Sequence, residues 1–552
     1  MIKLMVSLIL WSGACLGLGL MVQFRFWSER QKNNPLSGLG ALLLFGFWGV
    51  ALGTQVVHFF LPVSNAVSTV IVVVGWGGLI HYRKVVSDYI SFRDILLGFV
   101  LILGFGLLAT VCFFNIDTGY YHLPTVALLK GHPILPGIAN VFGPYGHNSV
   151  WFLVEAAFGL PYLGLASQFS ANALMAVAFV FVLRDLYRLS SISLGAFIIW
   201  VLLGFNHFGL GLGGVTPDFP SLTLSCLVWA SFLGLVFKDF DSEPWWVLML
   251  FSVALAISTK VSNLVLWVPL GFVLFYNKTT LQSAVIKKAL KWNIGFGSVW
   301  LVRGVLTSGC LLYPQSTTCG FGLPWAMPKE VVARWYADVK KHLCGTAISE
   351  NVFSNPDCLR EWWQRLLHEP VWKSVGVGLG VVLGVALFQK IRSRYHSRAS
   401  CGKNIQMSKP AMAVLLGVTL IWLFSAPNLR FALWLVFAWC GLLTSALLQW
   451  GEIKWTAKPF YFYAGLVIAL GLTLRSALLT RPFPVRWIDW PTVPMRSATP
   501  VMIFEGLKIS TPNHDFRCWE VDPPCTPEIN SIKIHSNQGV RFWFSAEGDK
   551  SR

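Results

Sequence analysis

Residues 95–122, ILLGFVLILGFGLLATVCFFNIDTGYYH, decide the fold class. The first twenty carry no charged side chain. A helix needs about 20 apolar residues to cross ~30 Å of hydrocarbon, so this stretch reads as a membrane span. Asp117 follows within three residues, with Tyr120, Tyr121 and His122 behind it. A lone carboxylate directly after a span, with no cation beside it in the chain, is costly at a membrane boundary and so asks for a partner or a function.

Working outward, similar runs recur along the whole chain. Of 552 residues 55% are hydrophobic and 12% charged, against the ~25% charged share usual in soluble domains. An ordinary soluble protein is excluded. Fourteen runs lie near 5–24, 36–60, 64–81, 95–114, 167–183, 192–208, 219–237, 244–258, 262–276, 292–312, 371–388, 411–427, 431–449 and 459–476. The expected fold is an all-α polytopic membrane protein of about 14 transmembrane helices. The first run lacks a basic flank beyond Lys3 and a small-residue cleavage site before Arg25, so it reads as a retained helix.

Direction follows from Lys and Arg in the short loops, which resist translocation. One set of breaks holds twenty-one of the 43 cations, among them Arg25, Arg83, Lys84, Arg93, Arg184, Arg188, Lys287, Lys288 and Lys291. That set is read as cytoplasmic. Both termini and the long segments 115–166, 313–370 and 477–552 then lie outside, and the formal charge of +18 is mostly topological rather than a nucleic-acid footprint. No Walker-type loop or 20–50-residue repeat is present, which argues against an ATP-driven pump.

The organisation expected is residues 1–94 as N-terminal transmembrane helices, 95–476 as a transmembrane core with outer loops 115–166 and 313–370, and 477–552 as a small extracytoplasmic domain. Pro-rich turns and short strand-like runs make that tail β-rich, and its 76 residues suggest that it docks on the membrane domain. In the second outer loop NVFSNPDCLREWWQRLLHEP reads as an interfacial amphipathic helix and a lid. Six of the eleven cysteines fall at or beyond the outer face, with Cys344–Cys358 and Cys518–Cys525 read as the local pairs; six unpaired thiols are the alternative. No Cys-x-x-Cys or His cluster marks a metal site.

Five ionisable residues sit inside or at the ends of spans: Asp117, Asp218 in GGVTPDFP, Lys260 in ISTKVSN, Arg303 in WLVRGVLTSG and Arg430 in APNLRF. All five fall toward the outer face, which predicts one polar cavity with two carboxylates and three cations. His122, Tyr121, His147 and Asn148 add hydrogen-bonding and aromatic groups suited to a sugar or another polar headgroup, although Tyr and His are also ordinary interface residues. The cations suit an anionic lipid ligand, with Arg303 and Arg430 able to grip phosphate oxygens. The plainer alternative is that Asp218 pairs with Lys260 or Arg303 only to neutralise buried charge.

DTGYYHLP, GIANVFGPYGHNSVWF, the TPDFP and STKVSN turns, VRGVLTSGCLLYP, GLPWAMP, APNLRF and CWEVDPPC together resemble a bacterial multi-spanning membrane protein family. Its layout is similar to the GT-C superfamily of polyprenyl-phosphate-sugar-dependent glycosyltransferases. The resemblance covers about residues 95–530. It implies a GT-C-like bundle in the bacterial inner membrane, its site facing the periplasm or exterior, moving sugar from a polyprenyl-phosphate donor to a glycan, lipid or protein acceptor of the envelope. Asp117 takes the position of the catalytic acid-base residue, Arg303, Lys260 and Arg430 of the phosphate ligands, and His122, Tyr121, Asp218, His147 and Asn148 of substrate contacts. Three spans precede the span that leads into the acidic loop, where the superfamily usually has one, and that loop holds a single Asp; the missing second carboxylate favours inverting, metal-independent transfer from a lipid monophosphate, with no cofactor beyond the donor. The alternatives are an O-antigen polymerase or ligase using a lipid diphosphate, a lipid-linked glycan transporter, for which inverted repeats are not visible, and a non-catalytic scaffold.

Overall fold

A computed structural model describes residues 2–26, 38–84, 86, 90–111, 117–160, 162–163, 168–237, 242–276, 282–344, 356–396, 409–425, 428–451, 453, 458–480, 498–504, 507–512, 517–518, 524–526, 532–537 and 541–546. The helices there are α1 Ile2–Phe26, α2 Leu39–His58, α3 Asn65–His81, α4 Phe92–Val111, α5 Leu123–Gly131, α6 Val150–Phe158, α7 Ser170–Arg188, α8 Ile192–Leu203, α9 Asp218–Phe237, α10 Ser242–Thr259, α11 Trp267–Tyr276, α12 Ala284–Ser308, α13 Lys329–Cys344, α14 Pro356–His368, α15 Val371–His396, α16 Lys409–Ser425, α17 Leu433–Trp450 and α18 Pro459–Thr480. Among the described residues each of the fourteen apolar runs overlaps a helix. Among the described residues eight, α1, α2, α4, α7, α9, α15, α17 and α18, are long and apolar enough to cross a membrane. The chain is an α-helical polytopic membrane protein.

Several predicted spans are shorter than the sequence suggests, for local reasons. The run at 192–208 stops being α-helical at Leu203, where Gly204 ends the helix and the chain continues in the 3₁₀ turn Phe205–His207. Twelve residues rise about 18 Å, well below the hydrocarbon thickness. The run at 262–276 begins as a 3₁₀ turn, Val261–Leu266, before α11.

One apolar core runs through the bundle, and α1 belongs to it: Leu4, Leu8, Trp11, Ala14 and Cys15 are fully buried. Trp11 stacks on Phe158 at 4.0 Å between centroids and donates from Nε1 to the Phe158 carbonyl at 3.2 Å. Phe158 is the last residue of α6, all nine of whose residues are buried. The segment expected as an exported loop, 115–166, is therefore packed into the bundle over much of its described length, because VWFLVEAAF is apolar enough to enter the core rather than water.

At the chain's C-terminal end, β1 Ala498–Phe504 pairs antiparallel with β2 Leu507–Pro512, and β3 Ile532–Asn537 pairs with β4 Arg541–Ala546, as two separate two-stranded sheets. Ile509 packs with Leu128, Ile138, Phe142 and Tyr145. The Tyr145 hydroxyl donates to the Cys525 carbonyl at 2.7 Å and accepts from its N–H at 3.2 Å. Cys518 and Cys525 are disulfide-bonded, as are Cys310 and Cys319, a pair whose partnership the spacing alone left open. The Cys344 and Cys358 side chains lie outside the described residues. The stretch read as amphipathic forms α14, with Trp362 buried against Leu359, Leu366 and Trp422 and Trp363 left exposed.

Candidate functional site at the ends of the helices

Four separate chain breaks supply the site. Asp117 immediately precedes a five-residue π-helical turn, Thr118–His122, which runs into α5; such turns are rare and recur at functional positions. Asp218 is the first residue of α9, where a helix's exposed amides favour a carboxylate. Lys260 follows the last residue of α10, where the carbonyl end favours a cation. Arg430 lies in the 3₁₀ turn Leu429–Phe431, fixed by Asn428, whose Oδ1 accepts from the Arg430 N–H at 2.9 Å.

These four residues form one linked set. The Arg430 guanidinium donates from Nε to Asp218 Oδ2 at 2.6 Å and from a terminal nitrogen to Asp117 Oδ2 at 2.9 Å. Lys260 Nζ donates to the other Asp218 oxygen and stands 4.0 Å from the centroid of the Phe431 ring. Two carboxylates and two cations cancel in net charge. The set opens outward through Arg430 and Asp117, whose side chains are 45% and 31% exposed. Burial alone would lower the Arg430 pKa, but Asp218 and Asp117 outweigh it and hold the guanidinium above its usual range.

His122 lies beneath this cluster and is buried. Its Nδ1 faces the Val215 carbonyl at 2.8 Å, which makes Nδ1 the proton-bearing nitrogen and leaves Nε2 as acceptor. Burial lowers the His122 pKa to about 4, against the opposing pull of Asp117 and Asp218. His147 is likewise lowered to about 4, by burial and then by Lys260. Tyr121 contacts both imidazoles, at ring centroids 4.3 Å from His122 and 5.7 Å from His147. Burial and then Asp117 push its phenol well above the usual range.

Arg303 departs from the expected arrangement. The prediction of one cavity holding all five charges is corrected: Arg303 joins neither carboxylate. It is 3% exposed, donates from Nε to Asn148 Oδ1 at 3.2 Å, and directs a terminal nitrogen at His58 Nδ1 at 2.8 Å. Asn148 is held in turn by donating to the Trp300 carbonyl at 2.6 Å. His58, Thr125, His147, Asn148, Arg303 and Thr307 are among the groups lining a small cavity of about 30 Å³. That is room for a water or two. The reason for the split is position along the helix: Arg303 lies more than a turn before the end of α12, so it faces the bundle interior, whereas the other four sit at helix ends.

Two buried groups went unread in the sequence. Asn172 donates to the carbonyls of Gly214 at 2.8 Å, Gly211 at 3.2 Å and Thr216 at 3.4 Å, and accepts from Trp151 Nε1 at 2.9 Å. Glu155 accepts from the Thr216 N–H at 3.0 Å. A lone Glu inside VWFLVEAAF was the available signal, but a charge in a supposed outer loop looks solvated. Among the described residues no group of three or more His, Cys, Asp or Glu side chains forms a metal-binding arrangement.

A family model described as "Domain of unknown function (DUF8201)" matches residues 1–437, and the chain belongs to that family. No curated protein and no solved structure matches it.

Proposed function

We propose that this chain is a membrane glycosyltransferase of GT-C type, moving a sugar from a polyprenyl-phosphate donor to an envelope acceptor at the outer face of the bacterial inner membrane. The observation that carries the reading is the half-open set of Asp117, Asp218, Lys260 and Arg430, drawn from four distant turns to one end of an apolar bundle. Fourteen crossings with both termini outside complete the topology. A lipid donor reaches such a site from the bilayer while a polar acceptor reaches it from water.

In this reaction the acceptor oxygen forms a bond to the anomeric carbon as the bond from that carbon to the phosphate oxygen breaks, with inversion. The hydroxyl proton passes to Asp117, which Arg430 holds in place at 2.9 Å, and the phosphate departs with the bonding electrons. Asp218 supplies the second carboxylate missing from the Asp117 loop, yet it is occupied by Lys260 and Arg430, in keeping with metal-independent transfer. Arg430, 45% exposed at the open side of the set, is the donor-phosphate ligand of choice with Lys260 behind it, whereas Arg303, buried beside a cavity with room for a water or two, stands apart from them. His122, Tyr121, His147 and Asn148 shape the sugar pocket.

The test is a mass-spectrometric profile of polyprenyl-linked sugars and surface glycans in cells lacking the protein, complemented by wild type or by Asp117→Asn. Loss of one surface sugar, build-up of its lipid carrier and rescue by wild type alone are expected, with the mutant at least 100-fold slower. Equal rescue by a well-expressed Asp117→Asn removes Asp117 from the mechanism, and an unchanged glycan profile removes the transferase reading.

A further inference from the structure

The turn that carries Asp218, GGVTPD at 213–218, is held from three sides by groups that are themselves buried. His122 Nδ1 bonds the Val215 carbonyl, Asn172 collects the carbonyls of Gly211, Gly214 and Thr216, and Glu155 Oε1 takes the Thr216 N–H. Thr216 then passes the constraint on, since its Oγ1 accepts from the Asp218 N–H at 3.3 Å. Two of the three clamps are neutral by chemistry or by their bonding. The third is a carboxyl group, 1% exposed, on a helix with no exposed residue.

Glu155 is in the wrong surroundings for an anion. No ion pair among the described residues includes it, and its Oε2 has no hydrogen-bond partner there. The charged groups nearest to the turn, Asp218, Lys260, Arg430 and Asp117, are engaged with one another. An ionised carboxylate left unpaired in an apolar interior costs far more than one unsatisfied hydroxyl, so such a group keeps its proton instead.

We propose that Glu155 is a positioning residue that works as a neutral acid: its carbonyl oxygen holds the Thr216 amide, and through that turn it sets Asp218 against Lys260 and Arg430. The inference rests on the transferase reading only for what the turn serves; how the turn is held stands on geometry alone.

The experiment compares the full-length protein in lipid nanodiscs with Glu155→Gln, which keeps a carbonyl oxygen and no charge, and with Glu155→Leu, which keeps the volume and removes the bond. Three measurements are made. The infrared difference between wild type and Glu155→Gln at pH 7 shows a protonated-carboxyl stretch that shifts in D₂O. Amide exchange in peptides covering 209–218 is unchanged in Glu155→Gln and at least tenfold faster in Glu155→Leu. Transfer from a polyprenyl-phosphate sugar falls at least tenfold in kcat for Glu155→Leu and stays within about twofold for Glu155→Gln. Absence of the infrared band at pH 7, or a Glu155→Gln protein as impaired as Glu155→Leu, overturns the proposal. Should Glu155→Leu not fold, the infrared difference and the Glu155→Gln exchange decide alone. If wild type transfers no sugar, the transferase reading fails while the first two measurements still judge Glu155.

Discussion

His122 lies among charged groups and still carries none of its own, because being buried outweighs two nearby carboxylates. His147 is neutral too, through burial and then Lys260, with Asp117 pulling the other way. Both have pKa values of about 4 in the folded protein, against about 6.5 in an unfolded chain. The sign follows directly: between those values the unfolded chain binds protons that the folded one refuses, so stability falls as pH drops from about 6.5 to 4 and is level outside that window. Each imidazole contributes on the order of 3 kcal/mol to that fall. Thermal unfolding in nanodiscs between pH 8 and pH 4 should show the decline, and His122→Asn, which keeps a donor for Val215, should remove about half of it; an unchanged pH profile would mean that the imidazole is charged in the folded state. At this scale the sequence was readable where an ionisable group stood at the end of an apolar run: Asp117, Asp218, Lys260 and Arg430 all came together. Arg303 was misplaced and Glu155 unread for one shared reason. Depth in the bundle, not proximity in the chain, decides whether a charge meets water, another charge or neither, and depth is a tertiary property.

Among the elements, the apolar runs were legible and their packing was not. α1 and α3 approach so closely that a Cβ on Gly17 would lie 1.7 Å from the Gly75 carbonyl oxygen and 2.6 Å from the Leu79 nitrogen. Both neighbours are backbone, which cannot swing aside. A Cβ on Gly77 of the same α3 would meet nothing within 4 Å. Close approach through small residues is how helices gain dispersion contacts in lipid, where no hydrophobic force draws them together. Gly17→Leu should therefore cost more than the 1–3 kcal/mol typical of overpacking, seen as a lower unfolding temperature and lower folded yield, whereas Gly77→Leu should cost less than about 0.5 kcal/mol. Equal effects from the two would show that α1 and α3 do not meet at Gly17. The chain holds 49 glycines, and nothing in their order distinguishes Gly17 from Gly77, since which one faces a neighbour depends on how the helices rotate as they pack. Helix ends are also less readable than helices: α8 stops at Leu203, before Gly204, although the apolar letters run on to 208.

Taken whole, the molecule separates its charges between two ends. One end holds Asp117, Asp218, Lys260 and Arg430 together with the Cys310–Cys319 and Cys518–Cys525 disulfides. At the other, where α4 begins and α7 ends, Arg184 donates to Asp94 at 2.6 Å and to Asp185 at 2.8 Å, and Lys288 Nζ donates to the Arg25 carbonyl. Basic short loops favour the cytoplasm and disulfides favour an oxidising compartment, and the orientation proposed above agrees with both rules. The entry of α6 into the core was not legible in the sequence, because a nine-residue apolar helix is too short to register as a span. The orientation can be measured with a membrane-impermeant maleimide and mass-spectrometric recovery of the labelled peptides. Phe321→Cys, at an exposed position two residues beyond Cys319, should be modified in intact cells, and Gln282→Cys, exposed beside α12 and its Lys287 and Lys288, only after lysis. The reverse pattern would turn Asp117 toward the cytoplasm, and the acceptor would then have to be a cytoplasmic hydroxyl rather than an envelope glycan. Labelling at both positions in intact cells would overturn the proposed alternation, in which the turns after the fourth, sixth, eighth and twelfth runs share one face.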